Sequence, residues 1–533
     1  MLARLGQIEE QSALFPPLAR VPHAGVLLAL AVLSTTGLLE EVRRHLPTLP
    51  NGLYGKRSIV TTLVVMALLR CKRPEQLKGF RPDSLGAVVG LARAPEMKTL
   101  RRKINLLAED EPRVRQLVLA MAKRHVERVK DATAFLYIDG HVRPYFGKQQ
   151  LGKTHVTQMR IALPATTDYW VCDATGAPVL VVVSERNSAM TREMPPLLKD
   201  VRTVVGPDAR PTVVFDRGGF SQKLFKEILA ANFDFLTYRK GKQREFPRSE
   251  FVDLPIRRAG REVVTKVRDR SIRLANFGLV RCVAVLRPDG KQTHVLTSRK
   301  DLTAREVLER MFSRWQQENF FKYLSEQYAF DALWTYAATP ADAQRLVPNP
   351  LRRDLDRKLA ELRRQRALQN AHLGQLVRTK GCPATALGLA KRAVTDVEQT
   401  IASLVTRRRS VPTHVAVGAL SQRDVLELAR APMLLGDVIK MTAFHIESML
   451  VANIIPHLRR AADEARAVVA DLFLLDGAIQ PHADHVLVTL DQASAPRYTR
   501  ALDGLCTMLN EADVAFPATS TRLRFRVASG GRG

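Results

Sequence analysis

Apolar residues in the first 130 positions recur at helical spacing, and this changes abruptly near Asp131. Ser58 is placed to N-cap a helix running through Thr61 to Leu69. A tight run of short helices follows: Pro74 to Lys78, Ser84 to Leu91, and one opened by Pro95 that reaches Leu107. In the last of these, Met97, Leu100, Ile104 and Leu107 form one stripe, and Lys98, Arg101, Arg102 and Asn105 face away from it. Three short helices ending in a basic amphipathic one suit a helix-turn-helix over about 74–107, whose last helix enters a major groove. A basic solvated face on a small bundle is the plainer alternative.

From Asp131 the pattern becomes that of an α/β layer. Thr133 to Ile138 is a near-continuous apolar run, as in a strand buried on both faces, and it is expected to end at Asp139-Gly140-His141. Ile161 to Leu163, Tyr169 to Cys172 and Pro178 to Val183 read as strands, and Met190 to Val201 as a helix. Pro211 to Phe215 is a second buried strand, ending at Asp216-Arg217-Gly218-Gly219. A helix from Ser221 to Ala231 and a strand from Asp234 to Tyr238 follow. Residues 240–299 carry short alternating runs split by Pro288-Asp289-Gly290, which reads as an antiparallel β insertion. A single helical run from Leu302 to Tyr328 closes this region.

Beyond Thr339, Val347-Pro348-Asn349-Pro350 breaks the chain before two charged helices, Leu351 to about Leu376 and Ala384 to Arg407, which read as an αα-hairpin. Between Leu351 and Lys380 there are nine Lys/Arg and three Asp/Glu, which makes this arm basic. Arg407-Arg408-Arg409 ends the second helix, where it suits either the helix C-terminus or a phosphate. A helical stretch from about Met433 to Ala470, broken near Pro456, two strands (485–490 and 522–527) and a helix near Arg497 to Asn510 make a small α+β end. The expected organisation is therefore 1–130 helical and DNA-binding, 131–335 α/β with its β insertion, 340–410 the basic αα-hairpin and 411–533 α+β.

Bulk composition narrows the function. The 533 residues carry 82 Lys+Arg against 53 Asp+Glu, a net charge of +29, which favours a polyanionic partner such as nucleic acid. The five cysteines are isolated, with no zinc-finger spacing, as fits a reduced cytosol. The apolar stretch Ala24 to Leu39 is interrupted and too short to span a bilayer, and Glu9-Glu10 and Pro16-Pro17 argue against a signal peptide.

Three acids stand out. Asp139 and Asp216 each end an apolar strand, and α/β sheets place ligands beyond the carboxyl ends of their strands. On a wheel through the 302–328 helix, Val307, Met311, Trp315 and Phe321 fall within about 60° of Glu318, while Arg314 and Lys322 lie one turn to either side. Taken alone, Glu318 reads as part of a surface ion-pair stripe. Three carboxylates brought together repel unless a cation neutralises them, and hard oxygen donors select Mg²⁺ or Mn²⁺. A pair of such ions suits phosphodiester chemistry.

Tyr137-Ile138-Asp139-Gly140-His141, Phe215-Asp216-Arg217-Gly218-Gly219-Phe220 and Arg314-Trp315-Gln316-Gln317-Glu318-Asn319 resemble the three acidic motifs of DDE transposases of bacterial insertion sequences. The spacings are 77 residues from Asp139 to Asp216 and 102 from Asp216 to Glu318. The long second gap resembles the branch whose ribonuclease H-like fold is split by a β-rich insertion before its last acidic helix. That branch carries a Tyr-x2-Arg-x3-Glu-x6-Lys signature. Arg314 and Glu318 keep it, Met311 and Ser325 stand where Tyr and Lys would, and Lys322 offers a replacement for the lysine.

The resemblance implies that Asp139, Asp216 and Glu318 are catalytic and hold two Mg²⁺ ions, with Mn²⁺ as a substitute. It implies hydrolysis at transposon ends followed by strand transfer into target DNA. Double-stranded DNA is then the partner, as terminal inverted repeats and as target, bound by a homodimer in the cytoplasm at the nucleoid. Arg217, Arg314 and Lys322 are candidates for phosphate contacts near the scissile bond, with carboxylate pairing inside the site as the alternative. Lys98, Arg101 and Arg102 are candidates for the inverted repeats. A ribonuclease H-like nuclease without strand transfer and a non-catalytic, transposase-derived DNA-binding protein are the competing readings. A two-carboxylate glycosidase fits the charge poorly.

Overall fold

The structure is a computed structural model that describes residues 8–50, 52–147, 151, 153–156, 161–184, 188–241, 245–258, 261–379, 383–420, 426–458 and 464–529, without the side chains of 153–156, 161–163 and 315–320. The chain forms two units: residues 1–147, 153–337 and 429–533 make one, and 148–152 with 338–428 the other.

In the first unit, strand β1 (Leu18–Val21) leads into helices α1 (Leu27–Thr36), α2 (Leu38–His45), α3 (Lys56–Leu68), α4 (Pro82–Val88), α5 (Met97–Leu107) and α6 (Glu111–Arg128). Helix α3 starts ahead of Ser58. Glu10 accepts from the Arg57 amide at 2.8 Å and from the Ser58 hydroxyl, so a carboxylate from the preceding segment serves the helix start that Ser58 was expected to cap. Strands β2 (Phe135–Pro144), β3 (Lys153–Val156), β4 (Ile161–Cys172) and β5 (Pro178–Ser184) follow, then α7 (Met190–Val205), β6 (Thr212–Phe215), α8 (Gln222–Ala230) and β7 (Asp234–Tyr238). The antiparallel insertion is β8 (Val252–Arg258), β9 (Arg261–Leu274), β10 (Gly278–Leu286) and β11 (Gln292–Thr297), ahead of α9 (Ala304–Phe312) and α10 (Arg314–Gln327). Among the described residues, β2 to β11 form one ten-stranded sheet. Its middle runs β5-β4-β2-β6-β7; β2, β6 and β7 are parallel, β4 runs against them, and β5, antiparallel to β4, shares their direction. β11 pairs antiparallel with β7, so the insertion extends the same sheet.

Two expectations from local pattern are corrected here. β2 does not end at Asp139: it continues to Pro144, paired antiparallel with β4, and only its parallel pairing with β6 stops at Ile138. The run from Leu302 to Tyr328 is not one helix, because α9 and α10 break at Ser313. The Tyr137 hydroxyl donates to the Arg310 carbonyl at 3.1 Å, and both the amide and the hydroxyl of Ser313 bond the Glu309 carbonyl. A strand side chain thus takes a carbonyl that a continuous helix would pair along its own axis.

In the second unit, β12 (Ala338–Pro340) and β13 (Leu346–Pro348) precede the helical hairpin α11 (Pro350–Arg378) and α12 (Ala384–Ser410), and β14 (His414–Ala416) and β15 (Leu426–Leu428) return to pair with β13 and β12. Asn349 caps α11. Within the hairpin only Leu355, Leu359 and Val397 are buried among the described residues. Arg408 pairs with Asp356 of the facing helix.

The chain then re-enters the first unit. α13 (Arg430–Ile454) packs against α3, α6 and β5, and α14 (Ala465–Phe473), β16 (Gly477–Pro481), β17 (His485–Leu490), α15 (Pro496–Glu511) and β18 (Arg522–Val527) complete it. The stretch Arg430–His457 is long and apolar enough to cross a membrane, and most of its most apolar part is buried inside the protein. β1 pairs with β16, placing an N-terminal strand in a sheet with β17 and β18. Residues 429–533 therefore share a unit with the N-terminal helices and the large sheet, whereas the sequence groups 411–533 as a separate end. Strand pairing across more than 450 residues of chain leaves no local trace.

Candidate active site

The candidate acids are organised by the parallel pairing of β2 and β6. Phe135–Ile138 and Thr212–Phe215 are each buried without interruption and pair residue for residue up to Ile138 with Phe215. The next residue after each buried run is an aspartate, Asp139 and Asp216, so two partly buried carboxylates follow the two runs at one edge of the sheet. Asp139 Oδ1 accepts from the Gly140 amide at 2.9 Å, and Oδ2 lies 3.0 Å from Arg314 Nη1. Asp216 caps the short turn at 217–219, its Oδ1 accepting from the Gly218 amide at 2.7 Å, and its carbonyl accepts from the Thr237 hydroxyl at 3.1 Å. The double glycine fits this turn by close approach. A Cβ on Gly218 would stand 2.8 Å from Asp216 Oδ1, and one on Gly219 would stand 2.5 Å from the Phe215 ring.

Side chains alternate across β2, so Tyr137, Asp139, His141 and Arg143 share a face. The third motif lies on that face. Arg314, the first residue of α10, meets Asp139, and two turns further along the axis Phe321 stacks on His141 with ring centroids 5.6 Å apart and planes 12° apart. Glu318 sits four residues after Arg314 and three before Phe321, at a helical position between two residues that contact β2. Its side chain lies outside the described residues.

Around these positions is a shell of buried polar groups. His141 Nε2 is 2.6 Å from Asp331 Oδ1, and the Ser325 hydroxyl of α10 also bonds Asp331. Burial works to raise the Asp331 carboxyl, but the His141 hydrogen bond and charge, Arg143 and Ser325 together hold it below the usual carboxylate value. Arg143, wholly buried, bridges Asp168 at 2.6 Å and Asp437 of α13 at 3.0 Å. Near the end of α10 the fully buried Glu447 of α13 accepts from Tyr323, Tyr328, Arg70 at 2.8 Å and Arg466 at 3.2 Å. On the other face of the sheet, Tyr169 pairs with Gly140 and donates to the Ser188 carbonyl at 2.6 Å. Its phenol is pushed up first by burial, then by the charges of Glu193, Asp216 and Asp139.

The cationic candidates separate. Arg314 pairs with Asp139, the alternative to a phosphate contact. Arg217 is exposed, its guanidinium 5.6 Å from the Tyr238 ring centre. Lys322 is largely exposed and lies 4.0 Å from Glu326. Lys98 and Arg102 are exposed on α5, whereas Arg101 turns inward, donating to the Trp334 carbonyl at 3.2 Å and pairing with Glu75 at 2.5 Å. Met311 is fully buried, and Ser325 points at Asp331. Of the two positions at which the sequence departs from the signature, Met311 therefore serves packing and Ser325 a hydrogen bond. The apolar sequence pattern did not flag His141, Tyr169 or Glu447. The period-two placement of His141 and Arg143 after Asp139 was the one available signal for the shared face.

As a metal donor set, Asp139 and Asp216 offer hard carboxylate oxygens at one sheet edge, which fits Mg²⁺ or Mn²⁺. Among the described residues no group of three His, Cys, Asp or Glu side chains is arranged to hold a metal.

A family model described as "Transposase protein" matches residues 1–529. No curated protein matches the chain. Among solved structures, the chain is similar to a piggyBac transposase in a synaptic complex with hairpin DNA, determined by cryo-EM, at 9% identity over 85% of this chain and 87% of that one, with a TM-score of 0.31. That likeness is too distant to support any statement about this chain.

Proposed function

The chain belongs to the transposase family whose model spans residues 1–529, and from that premise we propose that it is a DDE-type DNA transposase of the bacterial insertion-sequence kind. The observation that carries this reading is the register of β2 and β6. Ile138 pairs with Phe215, and Asp139 and Asp216 are the next residues of two parallel strands. The order β5-β4-β2-β6-β7, in which only β4 runs against the other four strands, supports a ribonuclease H-like core split by the β8–β11 insertion before the acidic helix.

Asp139, Asp216 and Glu318 would hold two Mg²⁺ ions, which when bound activate an attacking oxygen and stabilise a leaving one. In the first step water attacks a phosphodiester at the element end, leaving a 3′-hydroxyl and a 5′-phosphate. In the second, that 3′-hydroxyl attacks a target phosphodiester and displaces a target 3′-hydroxyl, so the number of phosphodiester bonds is conserved. The chain's own residues position these groups. Arg314 balances the Asp139 charge, and Arg217 and Lys322, both exposed, are available to phosphates. Residues 74–107, with Lys98 and Arg102 outward, would read the terminal inverted repeats, and a homodimer would join the two ends.

Incubating the full-length protein with DNA carrying both element ends and Mg²⁺ or Mn²⁺ tests the reading. Nicked ends and joined products that disappear in Asp139→Asn and Asp216→Asn support it. Cutting without joining identifies a nuclease. DNA binding with no metal-dependent cutting identifies a non-catalytic DNA-binding protein.

A further inference from the structure

We infer that His141 is a positioning residue that fixes α10, and with it the helical position of Glu318, against the strand that carries Asp139. The inference rests on the proposed roles of Asp139 and Glu318. His141 lies two residues beyond Asp139 on the same face of β2 and is nearly fully buried. Its ring is parallel to that of Phe321, one turn past Glu318. Its Nε2 is held by Asp331, and Asp331 is held in turn by Ser325, a further turn along the same helix. Strand, imidazole, carboxylate and helix thus close into a ring of contacts on either side of the Phe321 turn. Phe321 also meets Trp170 of β4 at 6.3 Å, so it is seated on two strands at once.

This arrangement addresses a mechanical problem left by the break at Ser313. α10 starts as a new helix after Ser313, so its placement is not set by an unbroken helix from α9. Arg314 anchors one end at Asp139, and Tyr323 and Tyr328 anchor the other at Glu447. Both end anchors are made by the tips of long side chains, which restrain roll about the helix axis only loosely, and rolling would swing the Glu318 position away from β2. A flat ring stack at Phe321 and a hydrogen bond through Ser325, both on the strand-facing side, oppose that roll. A shift of about 1 Å at a reacting group costs about 100-fold in rate, so the effect on catalysis should be large even where the fold is intact.

The test uses full-length His141→Leu, Phe321→Leu and the ring-preserving Phe321→Tyr. Hydrogen–deuterium exchange in the absence of DNA is expected to rise in peptides covering 314–327 for both Leu variants, with the rest of the sheet unchanged, and to return to the wild-type level in Phe321→Tyr. With element-end DNA, both Leu variants are expected to lower kcat by about 10- to 100-fold with KM unchanged, and Phe321→Tyr to recover most of it. Unchanged exchange in α10, or exchange raised evenly across the molecule, overturns the inference. If the wild type shows no cleavage at all, the transposase reading fails on that result, and the exchange data still decide whether His141 fixes α10.

Discussion

Arg314 Nη1 lies 3.0 Å from Asp139 Oδ2, so the first turn of the last acidic helix is tied to the first acidic strand across 175 residues of chain. Both side chains are about four-fifths buried, so the pair is better shielded than a surface ion pair and leaves one carboxylate oxygen of Asp139 directed elsewhere. Arg314→Gln is expected to lower end cleavage by at least about 10-fold while costing on the order of 1 kcal/mol of stability. Cleavage assays paired with urea unfolding check this, and unchanged cleavage would reduce Arg314 to a packing residue.

Asp216 has a second role, as the cap of the turn at 217–219. Asn retains the capping oxygen but not the charge, so Asp216→Asn should keep its unfolding free energy within about 1 kcal/mol of wild type while losing cleavage by a thousandfold or more. Asp216→Ala should lose both cap and charge. Thermal melts of the two variants beside the cleavage assay separate structure from chemistry.

Arg143 is the buried cation between Asp168 and Asp437, and burial raises the Asp168 carboxyl against the pull of that arginine. Removing the cation alone strands two carboxylates, so Arg143→Met should destabilise by about 3–5 kcal/mol. Arg143→Met combined with Asp168→Asn and Asp437→Asn should recover a large part of that loss. Denaturant titrations of the single and triple variants measure it, and a single variant as stable as wild type would contradict the network.

Acid stability is the fourth expectation. Burial first, then Arg239 and Arg268, push the His294 imidazole down to about 4. The folded state therefore holds His294 neutral while the unfolded chain takes a proton below its ordinary value of about 6.5. Its stabilising contribution is complete above that value and is lost as the pH falls towards 4, amounting to about 2 kcal/mol at pH 5. His294→Gln should shrink the difference in stability between pH 7.5 and pH 5 by that amount. It should also lower stability at every pH by losing the stack on Phe246. An unchanged pH difference would place the acid sensitivity in other groups, such as His445, whose imidazole burial drives well down.

The sequence by itself determined the elements whose cause is local. The strand Asp234–Tyr238 and the terminal strands 485–490 and 522–527 have their expected bounds, because alternation and turn residues act within a few positions. The proximity of Asp139 and Asp216 was legible for the same reason: two short buried runs, each followed by an acid and glycine. Tertiary structure alone decided the rest. β2 runs past Asp139 because β4 is there to pair with it, and the helical run breaks at Ser313, beside the Arg310 carbonyl that Tyr137 bonds. Residues 429–533 join the first unit because β16 pairs with a strand at 18–21 and α13 packs on α3 and α6. Each of these depends on a partner supplied from far along the chain. A hydrogen-bond donor or an apolar face cannot be assigned its partner from periodicity, which records only what a segment offers and not what meets it.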